Sequence, residues 1–183
     1  MARISIEAIP GKRHGVVARR QDVMEFATFY ENARDDCLRT VTAVVGQRDR
    51  AEDLVAEAFA RAWASWPTVR RHPAPRAWVV RTALNAHVSW WRRRRREVPA
   101  ADWAPHDRAG PADGTGLPDA RLMAALRSLP ERQRQVVALR IFLDLDSETT
   151  ARTLGIAAGT VTAHLARATR ALRAHLSETE ALR

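Results

Sequence analysis

The chain has a single cysteine, Cys37, in 183 residues. Neither a disulfide framework nor a cysteine-based metal site can form within one copy. No uninterrupted apolar run of about eighteen residues occurs, so no membrane-spanning helix is expected. No apolar signal core precedes a cleavage site near the N-terminus, and a cytoplasmic protein without membrane contact is expected. The motifs of common catalysts are missing as well: there is no phosphate loop, no HExxH and no GxSxG. His14, His72, His87, His106, His164 and His175 are scattered, and each reads as a surface or interface residue rather than a ligand. No catalytic residue, metal or cofactor is expected, and the chain does not read as an enzyme.

What remains is a helix-forming alphabet. Ala, Arg and Leu recur everywhere and β-branched runs are rare, which points to an all-α protein. An apolar fraction of 46% is enough for packed cores. Thirty Lys+Arg against twenty-one Asp+Glu leave a net charge of +9, and the basic residues are nearly all arginine. Arginine offers a planar fork to phosphate and guanine, so a polyanionic partner fits. A GC-rich genome also raises Arg and Ala, so composition alone does not decide.

The most informative stretch is Leu145 to Leu172. A short helical pattern follows Asp146–Ser147, either of which can cap a helix N-terminus. It ends near Leu154–Gly155, where glycine supplies left-handed backbone. A second helix begins around Ala158–Gly159 and runs past Arg170. Ala151, Gly155 and Val161 supply a small residue at the helix contact, a turn glycine and an apolar anchor, the spacing of a helix-turn-helix. The second helix offers Thr160, Thr162, Ala163, His164, Arg167 and Arg170 outward. Hydroxyl, imidazole and guanidinium groups can read base edges and phosphates in a major groove. Two packed helices of an ordinary bundle are the bland alternative.

In chain order, residues 1–21 read as a loosely ordered basic leader. From Asp22, apolar residues recur at helical spacing through Val45, and Gly46 ends that helix. A second helix from about Asp49 to Trp66 carries Leu54, Val55, Ala58, Phe59, Ala62 and Trp63 on one side. Glu52, Asp53 and Glu57 lie on the other, where acids suit the N-terminal dipole without any partner. Pro67 stops the helix, and Trp66–Arg76 reads as a loop. A third helix spans about Ala77–Arg95, with Val80, Ala83, Leu84, Val88 and Trp91 as its buried stripe. Its Arg92–Arg96 run follows aromatics, a mixture suited to stacking bases and binding a backbone, although such a run is usually solvated. Residues 97–118, rich in Pro and Gly and acidic, read as a flexible linker. Helices resume at 119–176, with Glu131–Phe142 ahead of the helix-turn-helix and a short tail at 177–183.

The assembled pattern resembles an extracytoplasmic-function (ECF) sigma factor of bacterial RNA polymerase, of an actinobacterial subgroup. The likeness rests on Gly46–Trp63 with its Ala51-Glu52-Asp53-Leu54-Val55 and Glu57-Ala58-Phe59 strings, on Pro75-Arg76-Ala77-Trp78 and Ala83-Leu84-Asn85, and on Trp90-Trp91 with the arginines before Glu97-Val98-Pro99. In the second block it rests on Leu129-Pro130-Glu131-Arg132-Gln133-Arg134 with Gly159-Thr160-Val161. It covers roughly Asp22 to Leu176 and implies two all-α domains, region 2 at 22–96 and region 4 at 119–176.

By resemblance, Glu52, Asp53, Leu54, Glu57 and Phe59 bind the clamp helices of the largest subunit of core RNA polymerase, and region 4 meets the flap of the second-largest subunit. Arg76, Trp78, Arg81 and Asn85 bind the −10 promoter element and capture a flipped base, with the Trp66–Arg76 loop as pocket wall. Thr160, Thr162, Ala163, His164, Arg167 and Arg170 read the −35 element in promoter DNA. Many relatives carry basic residues where Thr162 and His164 stand, serine at Ala163 and proline at Ala157, so Arg167 is the surviving basic reader. Many such factors are held by an anti-sigma factor, and the resemblance admits one here. A stand-alone helix-turn-helix regulator is the alternative, but it leaves the first domain without a role.

Overall fold

The computed structural model describes the backbone of residues 11–97 and 120–181, with side chains over 19–90 and 120–177. Those residues form helices and turns. The linker expected at 97–118 lies almost wholly outside them, as do residues 1–10.

Helix α1 runs from Gly11 to Val45. The basic leader is therefore helical from residue 11, a correction to the loose segment expected up to 21. Ala33, Cys37, Val41 and Val44 recur every three or four residues and are buried, giving α1 one continuous apolar stripe. Gly46 ends it in left-handed backbone at φ 82°, and its N–H donates to the Thr42 carbonyl at 2.8 Å. The reversal leads into α2, Arg48–Ala64, which buries Ala51, Leu54, Val55, Ala58, Phe59 and Ala62.

Pro67 does stop α2, but Trp66–Val69 is not a loop. It forms a short helix, α3, because proline lacks only an N–H that the first turn leaves unused. Helix α4, Pro75–Glu97, then packs on both α1 and α2. Val80, Ala83 and Leu84 are buried as the stripe predicts, and Val88 is half-buried. The side chains of Trp91 and the arginine run lie outside the described set.

An aromatic cluster fastens one end of this three-helix core. The Phe59 ring lies 6.5, 5.8 and 4.9 Å from those of Phe26, Phe29 and Tyr30. Phe26 also meets Trp63 at 5.1 Å and Trp66 at 5.2 Å. Edge-on and tilted rings at these separations add to the burial gained from their area. Arg70 pins α1 from outside through Asp22 at 3.2 Å and Glu25 at 3.0 Å.

The second domain comprises α5 Ala120–Ser128, α6 Glu131–Val137, α7 Ser147–Leu154 and α8 Ala158–Ala181. The expected helix over Glu131–Phe142 changes character midway: Ala138–Phe142 is a π turn, with the Leu143 N–H donating to the Ala138 carbonyl at 3.2 Å. Arg140 caps the exit by donating to the Leu145 carbonyl. The tail expected from 177 is part of α8, which continues to residue 181.

The two domains touch. Helix α1 packs on α5, α6 and the π turn, and α4 packs on α7. One apolar cluster runs from Leu38, Val41 and Val44 of α1 into Met123, Leu126, Val137 and Leu143 of the second domain.

Candidate nucleic-acid and partner interface

The helix-turn-helix is built as its sequence predicts. Asp146 caps α7, its carboxylate accepting from the Thr149 N–H at 2.6 Å and the Thr149 hydroxyl at 3.1 Å. These bonds to the charged form hold the Asp146 carboxyl below its ordinary range. Gly155 turns the chain at φ 67°. Ala151 and Val161 are buried with Val136 in a small apolar cluster that seats α8 on α7. This clamp fixes which face of α8 looks outward.

That face carries Thr160, Thr162, Ala163, Arg167 and Arg170, all exposed. The Thr162 hydroxyl donates back to the Ala158 carbonyl at 3.3 Å, so its methyl and oxygen are held in a defined direction. His164 differs from its neighbours. It is half-buried, with Nδ1 enclosed by protein and unpartnered. It supports the reading face more than it extends it.

In the first domain the expected −10 residues separate. Asn85 and Arg81 are exposed on α4, and Trp78 is half-buried against the core. Arg76 is engaged within its own domain. Its guanidinium donates to Asp36 at 2.8 Å and to the Asn32 carbonyl at 3.0 Å. The fork ties the start of α4 to α1, while the side chain stays 44% exposed. Arg81 donates to the Arg152 carbonyl of α7 across the domain seam, at 3.4 Å.

The expected polymerase residues also divide. Glu52, Asp53 and Glu57 are exposed on α2. Two of them pair along the helix, Glu52 with Arg48 at 2.8 Å and Glu57 with Arg61 at 2.6 Å. Such exposed pairs contribute about 0.3–0.5 kcal/mol each and are easily exchanged for another partner. Leu54 and Phe59 lie apart from the acids. They are 2% and 3% exposed, because their positions on α2 face α1 and α4. They position the acidic face from beneath and offer little to a partner.

Asn85 lines a groove of about 470 Å³ between α2 and α4, with Arg50, Leu54, Glu57, Arg61, Ala86, Ser89 and Trp90. Arg50 lies over the Trp90 ring at 4.5 Å, a cation–π contact. The Trp66–Arg76 loop expected as pocket wall does not line it. Sequence reading did not single out Arg50 or this groove. The signal was present: Arg50, Leu54, Glu57 and Arg61 fall at helical spacing on one stripe of α2. Among the described residues no helix is long and apolar enough to cross a membrane.

Known proteins share this arrangement. Sigma-70 region 2 matches residues 29–97, and Sigma-70, region 4 matches residues 119–172. The chain is 33% identical to the RNA polymerase sigma-E factor of Streptomyces coelicolor over 155 residues, covering 85% of this chain and 88% of the relative. It is 32% identical to the ECF RNA polymerase sigma factor EcfG of Rhodopseudomonas palustris, over 80% of this chain and 86% of that one. Among solved structures, the sigma factor RpoE of Bartonella quintana, in complex with the anti-sigma factor NepR, matches with a TM-score of 0.74 at 25% identity. That match covers 84% of this chain and 97% of the other. Two helical domains in the order of regions 2 and 4, with relatives matched over most of their length, place this chain among the ECF RNA polymerase sigma factors, which are transcription-initiation factors.

Proposed function

We propose that the chain joins core RNA polymerase through the exposed acids of α2 and carries two DNA-reading helices, α4 for the −10 element and α8 for the −35 element. The domains fall at about 22–96 and 119–176. Glu52, Asp53 and Glu57 meet the clamp helices of the largest subunit, and the second domain meets the flap of the second-largest. Arg81 and Asn85 hold the opened −10 strand. Thr160, Thr162, Ala163, Arg167 and Arg170 contact the −35 duplex. The protein acts in the cytoplasm, performs no catalysis itself, and is a target for an anti-sigma factor.

The observation that carries this reading is the division of α2. Its apolar half is consumed by the core, while four carboxylates, Asp49, Glu52, Asp53 and Glu57, face solvent. Acids held at two successive turns of a rigid helix make a surface suited to a basic partner.

Transcription in vitro with sigma-free core polymerase and a genomic promoter library tests the function. Starts that depend on the chain are expected. Asp53→Arg with Glu57→Arg should weaken core binding at least tenfold with an unchanged melting curve. Unchanged affinity removes these acids from the interface.

A further inference from the structure

Helix α8 exposes its reading face in a fixed order. Val161 and Ala168, two turns apart, are fully buried and mark the side that faces the domain's own core. At about 100° per residue, Ala163 stands roughly 200° round from Val161, at the crest of the opposite side. Thr162 flanks the crest at about 100°, and Arg167 and Thr160 flank it on the other side at about 240° and 260°. All four are exposed. His164, about 60° from Val161, is half-buried. A helix laid in a major groove contacts base edges with its N-terminal residues, so Thr162 and Ala163 meet them early.

The hydrogen-bonding groups around this crest are unevenly shared. The single proton of the Thr162 hydroxyl is given to the Ala158 carbonyl at 3.3 Å. What Thr162 still offers a ligand is a methyl group and an oxygen that accepts. Ala163 offers a methyl group and nothing polar. Together the pair holds two methyl groups, one acceptor and no donor. Guanine shows the major groove two acceptors, N7 and O6. Beneath this pair they would lose water without gaining a donor, which is unfavourable. An A·T pair fits: its thymine C5 methyl group packs on apolar side chains, and its adenine N6 amino group donates to an oxygen such as that of Thr162. The donors that guanine needs stand on the far flank, where the Arg167 guanidinium can bridge N7 and O6.

We infer that the duplex read by α8 carries an A·T pair beneath Thr162 and Ala163, and that the chain recognises it by the thymine methyl group. Thr162 and Ala163 are then specificity-determining residues, acting through their methyl groups and through the donor they lack. The inference rests on the proposed role of α8 in −35 binding. Burying one methyl group changes affinity by about fourfold.

The test uses the complete chain with core RNA polymerase on one promoter taken from the chain-dependent starts. Each thymine of its −35 element, on either strand, is replaced singly by deoxyuridine, which keeps base pairing and removes only the C5 methyl group. Affinity is read as the ratio between thymine and uracil duplexes for one and the same protein, so any change in fold stability or core binding cancels. At one or two adjacent positions uracil should weaken promoter binding at least threefold. Ala163→Gly removes one protein methyl group, and Thr162→Ser removes the other while keeping the hydroxyl. One or both should bring the ratio at that position close to one. A −35 element in which no thymine methyl group matters overturns the inference, as does a uracil penalty that both variants retain in full. A G·C pair at that position that binds as well as A·T overturns it too. In each of these cases transcription still starts on the unmodified promoter, so the sigma-factor reading stands. A chain that yields no starts on any promoter overturns that reading, and this inference with it.

Discussion

Arg76→Ala separates a structural pin from a DNA contact. Arg76 spends its guanidinium on Asp36 and on the Asn32 carbonyl, at 2.8 and 3.0 Å. Its side chain is 44% exposed and that of Asp36 is 27% exposed, so the ion pair is screened and contributes about 0.5–1 kcal/mol. The charge-assisted bond to the carbonyl adds about 1 kcal/mol. Asp36 keeps Arg39 as a second partner, which limits the penalty of leaving it behind. The expected loss is therefore about 1–2 kcal/mol, a fall in melting temperature of about 2–8 °C for a chain of this size. A double-mutant cycle with Asp36→Ala should return a coupling of about 0.5–1 kcal/mol. The slope of log affinity against log salt for single-stranded DNA should not move. A phosphate contact behaves in the opposite way: loss of one reduces that slope by about 0.7 and leaves the melt alone. An unchanged melting temperature with a reduced slope would refute the structural assignment.

Phe59→Ala should cost about 3–5 kcal/mol, since it empties the centre of an aromatic cluster; a variant that melts like the parent yet loses core polymerase would restore Phe59 to the interface. Val161→Ala should cost about 2–3 kcal/mol by urea denaturation, because Val161 is fully buried against Ala151 and Val136, and −35 duplex binding should weaken with it. Stability should depend on pH through His87. Burial, and then Arg50, hold its imidazole below the ordinary 6.5. Above that pH both folded and unfolded chains carry it neutral. As pH falls below 6.5 the unfolded chain takes the proton first, so stability declines until the folded value is passed. A His87→Gln variant should lack this component in pH-resolved melts.

Much of the first domain was legible because its pattern is periodic. Ala33, Cys37 and Val41, or Val80, Ala83 and Leu84, recur at helical spacing and are buried where that spacing puts them. The helix-turn-helix was legible through single residues: an Asp146 cap, a left-handed Gly155 and a buried Val161 each leave a chemical signature. The −10 role of Arg76 came from family likeness, and its bonds to Asp36 and Asn32 were not legible because only the folded α1 brings those groups to it. Leu54 and Phe59 lie beside acids in sequence, and family likeness drew them into the same role. Their own spacing on α2 had already placed them on the apolar side. The groove beside Asn85 and the seam at Arg81 join elements far apart in the chain, which no local pattern reveals.

The π turn at Ala138–Phe142 carries a consequence for insertions and deletions in this protein. Such a turn holds one residue more than the α-helical turn it replaces. Here it lies directly ahead of the hinge into α7, closed by Leu143 on Ala138 and by Arg140 on Leu145. Deleting one residue, such as the exposed Ile141, would let the segment relax into ordinary α-helix. Everything downstream would then swing by about 100°, the angular step of one helical residue. The turn would carry Ala151 and Val161 off Val136 of α6, so the −35 reader would lose part of its own core along with its bearing. Chain length in this short stretch thus acts as an angular gauge inside the second domain: it sets the bearing at which α7 and α8 meet α6, and a one-residue deletion here should lower that domain's melting temperature.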